Sequence, residues 1–580
     1  MRNSELIKIF SEMAELLEMK DVPFKPRAFE KAAHSLEALE EDVADIYKRE
    51  GIAGLEKIPG VGRGIAERIE EYVTTKRIRD YAQLKKEMPV DISGLTAIEG
   101  VGPKTIRLLY KKLKIKNVRD LEKAARSGKL KKLPRFGEKL EEKILKGISF
   151  QKIHAGRMSL GEALPLSRSI IGRLKKIPGV SAVESAGSLR RWQETIGDLD
   201  FLVIASEPAR VMSAFVAMPD VMGVTARGET KSAVRLRSGI HADLRVLPPE
   251  SFGSALQYFT GSKDHNVALR TIAIAKKYKL NEYGLFKGNR RVAGETEEGI
   301  YKKLGLDWMP PELRTNTGEI EAAGKHRLPK LIDYDDVRGD CQTQTTWTDG
   351  AHSIEEMARE AKRLGREYIA ITDHTKSLAM THGSDEAKLR KQMAEIKKLN
   401  KRLSGIRIFS GAEVNIAKDG ALDISDAVLA ELDFVGASIH SHFNLSTREQ
   451  TTRLIRTMEN PHVDAIFHPT TRVIQKRDAI ALDLDELFKA AARTGTMLEV
   501  NAHPWRLDLK DDLVRRAKTF DVKFIIDTDA HSTAELSYLE YGIAQARRGW
   551  CAKKDVINTL GAADFSALLE KPKAKRFSSR

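Results

Sequence analysis

Cysteine is almost missing from this chain: 580 residues contain only Cys341 and Cys551. That excludes a disulfide framework or a thiolate zinc cluster and fits a reducing compartment. Long apolar runs are missing too. No stretch of eighteen apolar residues occurs, so a membrane-spanning helix is not expected. The opening MRNSELIKIFSEMAELLEM has no basic segment followed by an apolar core; it has the pattern of an amphipathic helix carrying acids and is not expected to be a secretory signal. An excess of acid is also lacking. The 98 Lys and Arg against 82 Asp and Glu leave a formal charge of +16, which favours an anionic partner, with an ion-pair-rich surface as the bland alternative.

The chain has enough apolar content, 41%, to fill several cores, and its length is too great for one. Residues 1 to about 150 have apolar residues at helical spacing only. Within them LEKIPGVGRGIAERIEEYV (55–73) and LTAIEGVGPKTIRLLYKKL (95–113) repeat a G-V-G turn between helices, and LKKLPRFGEKLEEKIL is a weaker third copy. In such a hairpin the glycines, Gly60 and Gly62, then Gly100 and Gly102, let backbone N–H groups approach a phosphate at the start of the second helix. That contact reads backbone and not bases. The flanking Arg63, Lys104, Arg107, Lys111 and Lys112 favour DNA over a merely structural turn.

From about 151 the texture turns to mixed strand and helix. GSLRRWQETIGDLDFLV places Gly187 and Ser188 ahead of Gly197 and the pair Asp198 and Asp200. Alternation along a strand puts both carboxylates on one side, where they repel unless cations lie between them, and a paired-metal phosphoryl-transfer site uses that arrangement. HADLRVL supplies a third acid, Asp243. Gly187, Ser188 and Gly197 offer donors to a triphosphate, and Arg190 and Arg191 add charge. This is the pattern of the nucleotidyltransferase superfamily.

With the tandem hairpins in front of it, the region 1 to about 315 resembles the family X DNA polymerases. The resemblance implies an all-α helix-hairpin-helix region, an α+β palm and a thumb, divided as 1–90, 91–150, 151–250 and 251–314. It implies Mg²⁺ or Mn²⁺ on Asp198, Asp200 and Asp243, with Asp243 nearest the primer 3′ hydroxyl, and a triphosphate held by Ser188, Arg191 and Gly197 with Arg157 assisting. YFTGSKDHN resembles a family motif in which Tyr258, Phe259 and Gly261 line the sugar, Asn266 touches the base, and Arg270 lies along the template. Two positions depart from the pattern. Arg68 stands where the family's lyase lysine is expected, and a guanidinium is never the neutral nucleophile a Schiff base needs; Lys25 and Lys31 remain as 5′-phosphate contacts. His241 stands two residues before Asp243, where an arginine is usual.

Residues 315–332 lack an apolar period and are expected to be a linker. Beyond it, apolar strands alternate with helices, which predicts parallel strands in a barrel or a wound sheet. The strands end in Asp373 and His374, Glu413, His440 and His442, His468, His503, and Asp529 with His531, a set that suits Zn²⁺, Mn²⁺ or Fe²⁺. This half, 333–580, resembles the PHP (polymerase and histidinol phosphatase) domain that follows the polymerase in bacterial and archaeal PolX proteins. The resemblance implies a distorted β/α barrel with a trinuclear phosphoesterase centre. Glu413 would bridge two metals, His440 and His468 would complete one position, and Asp349, His374 and His531 would form another. The third would draw on Gln342, Gln344, Glu413 and Asp529. The PHP pattern has His-x-His where GDCQTQTTWTDG has two glutamines, and amides are weaker ligands than imidazole, so that position is expected to be weakened. His382, His442 and His503 are expected near the strand ends, as replacement ligands, substrate contacts or supporting groups.

The expected function is gap-filling DNA polymerisation in repair with an appended 3′–5′ exonuclease or abasic-site phosphoesterase. The expected partners are gapped or primed DNA and deoxynucleoside triphosphates, without membrane, and the expected form is a cytoplasmic prokaryotic monomer. The rival readings are a phosphoesterase to which the polymerase half delivers DNA, and a PHP half that is only a DNA-binding module.

Overall fold

The computed structural model describes residues 2–577 except 38, 40, 97, 99, 134, 135, 155, 379 and 380, and of 2, 4, 34, 37, 139 and 149–154 the backbone alone. Up to residue 154 every regular element is helical, among them α1 (Arg2–Met19), α2 (Lys25–Glu37), α3 (Arg63–Thr75) and α4 (Pro103–Leu113). They share one core in which Phe10, Leu16, Ile69 and Leu109 are buried together.

The two G-V-G copies fold alike. Gly62 and Gly102 are the N-caps of α3 and α4 with extended backbone, Gly60 and Gly100 take the left-handed region at φ 75° and 88°, and both helices end on a left-handed lysine, Lys76 and Lys114. The third copy falls partly outside the described residues.

The palm is a five-stranded sheet of β1 (Val180–Ser185), β2 (Asp198–Ala205), β3 (Val221–Arg227), β4 (Lys231–Leu236) and β5 (His241–Val246), in the order β1-β2-β5-β4-β3. Three of its four pairings are antiparallel, and in the fourth β2 runs parallel to β5. Helix α5 (Phe252–Thr260) packs on it, with Ala255 buried beside Leu202, and α6 (Lys263–Ala275) follows in a core of its own with Leu280 and Tyr301. The segment expected as a linker contains the helix Glu319–Gly324. Its Ile320 and Ala323 are buried with Leu269 and Tyr301, an apolar pair too short to register as a period.

The remaining sheet has seven parallel strands in chain order: β6 (Gly339–Thr343), β7 (Tyr368–Ile371), β8 (Arg407–Asn415), β9 (Phe434–Ser438), β10 (Ala465–Ile466), β11 (Met497–Asn501) and β12 (Phe524–Asp527). A parallel bridge between Thr343 and Ala530 joins its two edges, so the sheet is nearly closed into a barrel. Strands buried on both faces need unbroken apolar sequence, which explains the runs that marked them. Helix α7 (Leu539–Arg548) follows β12 and packs back on the palm, whose core contains Tyr541.

Candidate functional sites

The palm carboxylates are set by strand register. Asp200 on β2 lies opposite Asp243 on β5, and Asp198, two residues earlier, lies opposite His241. Alternation turns the three acids to one face. Burial, then Asp198 and Asp243, push Asp200 up to about 7. Like charges so placed call for cations, so the donor set fits the divalent ions expected of it. Gly187 follows β1 at φ 65°, and a Cβ there would stand 2.6 Å from Asp200 Oδ2. No other residue type fits against the carboxylate in that conformation.

Around this face, Ser188 and Arg191 lie in and just after the short helix Gly187–Arg190. Arg191 donates to the carbonyl of Thr260, and its own carbonyl accepts from Arg548 Nη1 at 2.8 Å. Burial and the nearby Arg548 pull its pKa down to about 10. Arg190 is committed elsewhere: both terminal nitrogens lie 2.9 Å from Glu297, which Arg314 also binds. Arg157 donates to Thr195 Oγ1 at 2.9 Å, and its Nη1 is 3.1 Å from where a Cβ on Gly197 would stand.

At the end of α5, Tyr258 and Phe259 pack edge to face at 5.1 Å, and Gly261 begins the turn into α6. Asn266 donates to the Tyr258 carbonyl at 2.6 Å and accepts from Gln257, while Arg270 Nε donates to the Asn266 carbonyl at 3.3 Å. Arg68 is an ion-pair partner of Asp80. Lys25 and Lys31 share α2 with Arg27, which reaches the barrel at His382, 3.2 Å from Nη1 to Nε2.

At the C-terminal ends of the barrel strands the expected ligands converge. Glu413 is fully buried, with His374 Nδ1, His440 Nε2 and His468 Nε2 at 3.3, 3.2 and 3.0 Å. Burial raises its pKa, but His374 and His440 outweigh that and hold it well below the usual range. His374 turns its other nitrogen to Asp349 at 3.7 Å, and Asp349 lies 3.8 Å from His531. His374 thus joins the groups Asp349–His374–His531 and His374–Glu413–His440, each spaced to hold an ion. Burial, and next Arg506, lower His468 to about 4, so its imidazole is neutral at working pH, the form a metal would need. His440 is oriented by Asn415, whose Oδ1 lies 2.7 Å from Nδ1, and His531 Nδ1 lies 2.8 Å from the Asp529 carbonyl. Two metal positions therefore have fitting donors.

The third does not. Gln344 Nε2 donates to Glu413 at 2.9 Å, and Gln342 Oε1 accepts from Asn501 at 3.2 Å. Asp529 is held by Arg506, Nε to Oδ2 3.2 Å. Asp373 is no ligand: it accepts from the Thr345 amide and from the side chains of Thr345, Thr348 and Gln392, and so anchors the loop after β6. Of the remaining histidines, His442 is exposed and His503 packs on Tyr538 at 5.4 Å. Asn415, Glu499, Asn501 and Arg506 escaped the sequence reading. The only trace of the last two is NAHPWRLD, a polar run directly after an apolar strand.

A carboxylate-bearing nucleotidyltransferase palm behind tandem helix-hairpin-helices, joined to a histidine-lined PHP barrel, defines the class. Family models match for a helix-hairpin-helix domain over residues 1–78, a SAM-like helix-hairpin-helix tandem over 92–149, the DNA polymerase beta thumb over 255–315 and the PHP domain over 340–503. The chain is 36% identical over 576 residues to the DNA polymerase/3′-5′ exonuclease PolX of Bacillus subtilis, covering 98% of this chain and 100% of that protein. It therefore belongs to the PolX family. Its barrel is also similar to smaller proteins described as probable phosphatases. One from Thermoanaerobacter is 28% identical over 231 residues, 38% of this chain and 89% of the relative, and one from Acetivibrio thermocellus is 31% identical over 206 residues, 34% and 80%.

Proposed function

We propose that this chain is a DNA-directed DNA polymerase that fills short gaps during repair, and that its barrel is a metal-dependent phosphoesterase trimming 3′ ends or abasic sites. The observation that carries the first reading is the facing of Asp200 and Asp243, with Asp198 beside them. Mg²⁺ or Mn²⁺ on these carboxylates supplies charge neutralisation for attack of a primer 3′ hydroxyl on the α-phosphate. The chain's own part is positioning. Ser188, Arg191 and Gly197, with Arg157, hold the triphosphate; Tyr258, Phe259 and Gly261 shape the sugar pocket; Asn266 and Arg270 address base and template; Asp243 orients the 3′ hydroxyl. The hairpins at Gly60–Gly62 and Gly100–Gly102, with Lys104, hold flanking phosphates, and Lys25 and Lys31 a 5′ phosphate. Domain limits near 90, 150, 250, 314 and 332, a monomeric state and a cytoplasmic prokaryotic location belong to the same reading. No helix among the described residues is long and apolar enough to cross a membrane.

In the barrel, Zn²⁺, Mn²⁺ or Fe²⁺ held by Asp349, His374 and His531 and by Glu413, His440 and His468 would supply an activated water for phosphodiester hydrolysis. A barrel that only binds DNA is the second reading, favoured by Gln342 and Gln344 together with the Arg506–Asp529 pair. Primer extension on gapped DNA with Mg²⁺ or Mn²⁺, and 3′ digestion without nucleotides, test both halves. Absence of incorporation sinks the polymerase reading. Digestion that survives His440→Ala sinks the assignment of hydrolysis to the barrel.

A further inference from the structure

Three oxygens converge at one point of the barrel: Gln342 Oε1, Glu499 Oε2 and Asp529 Oδ2. Between them lies the Nδ2 of Asn501, at 3.2, 3.3 and 3.2 Å. The amide cannot be turned round, because its Oδ1 accepts from the His503 N–H at 3.0 Å. An amide nitrogen brings two protons to three oxygens and no charge. The charge comes from Arg506, whose Nε stands 3.2 Å from Asp529 Oδ2. Gln344 completes the pattern by donating its NH₂ to Glu413 at 2.9 Å. The four residues expected to bind a third metal, Gln342, Gln344, Glu413 and Asp529, thus each face or present an N–H donor of the chain. A guanidinium stays charged at every working pH, and in a buried site it repels a divalent ion a few ångströms away.

We propose that Arg506, with Asn501, stands in for the third metal, so that the barrel is a two-ion centre with a fixed positive charge that no chelator removes. Arg506 and Asn501 act here as positioning residues. Asp349 and Glu413, the acids of the two other positions, have only histidines as ion-pair partners among the described residues. The proposal rests on the reading of the barrel as a metal-dependent phosphoesterase.

The test is a count of bound Mn²⁺ by equilibrium dialysis and plasma mass spectrometry on the full chain, in an Asp198→Asn, Asp243→Asn background that keeps ions off the palm. The parent is expected to hold two ions. Gln342→His with Gln344→His is expected to stay at two while Arg506 is present, to rise to three when Arg506→Gln is added, and to remain at two with Arg506→Lys. Thermal melts check that each variant folds, and Arg506→Met replaces the glutamine variant if that one does not. Three ions in the parent, or in the double-histidine protein with Arg506 intact, overturn the proposal alone. So does a failure of the charge-removing variants to admit a third. No bound ion overturns the proposal and the phosphoesterase reading together.

Discussion

Asp200 and Asp243 are opposed across the one parallel pairing of the palm sheet, β2 on β5, and the carboxyl of Asp200 is pushed up to about 7 by burial and by its acidic neighbours. An acid raised in this way favours the folded state only while protonated. Its contribution is full below the ordinary value of 3.8 and is lost as pH climbs through about 7. Without divalent ions, Asp200→Asn is therefore expected to melt at a higher temperature than the parent at pH 8, with the gap closing as pH falls below 7. A gap that does not change with pH would contradict this. In primer extension the same variant is expected to lose about 1,000-fold or more, since one of the three carboxylates that would hold the divalent ions is removed.

The hairpin glycines divide by conformation. Gly62 and Gly102 have extended backbone and open space where a Cβ would go. Gly62→Asp with Gly102→Asp, which suits an N-cap, should leave the melting temperature close to the parent's while repelling phosphate, weakening duplex binding about tenfold (~1.4 kcal/mol). Gly100→Ala, at φ 88°, should instead cost about 1 kcal/mol of stability. Duplex titration by fluorescence anisotropy, paired with melts, separates the two effects.

Borohydride trapping on DNA with a 5′ deoxyribose phosphate should yield no adduct on residues 63–75, because Arg68 is both permanently charged and paired with Asp80. Peptide mapping of a trapped complex checks this, and an adduct within that helix would be inconsistent with it.

Loss of a barrel ligand should uncouple the two activities. His440→Ala and Asp349→Asn are expected to reduce 3′ digestion by about 100-fold or more while extension stays within about twofold. Asn415→Ala, which frees the ring of His440, should cost about 10- to 100-fold in digestion and raise the Mn²⁺ concentration needed.

The palm centre was legible because it depends on short-range pattern. Period-two alternation fixes Asp198 beside Asp200, and the glycine signature fixes the turn ahead of them. The clustering of Glu413, His374, His440 and His468 in the barrel was legible because each lies at or just after the end of an apolar strand; Asp349, in the loop after β6, was placed by resemblance alone. What stayed hidden depends on partners far along the chain. Arg190 looked like a free cation until Glu297, 107 residues on, took it up. Gln342 looked like a weakened ligand, and the amide that donates to its oxygen comes from a strand 159 residues later. The helix at 319–324 was invisible because two apolar residues carry no period, although the core they enter is substantial.

The carbonyl of Arg191 is held by Arg548, at the end of the barrel helix α7. The same helix contributes Tyr541 to the palm core and pairs Glu540 with Arg168 at 2.7 Å. A chain cut off after the thumb would thus leave Arg191 without its backing and an apolar face of the palm bare to water. The boundary drawn between the halves is a line on the sequence that the packing does not respect, and neither side of it is a finished surface.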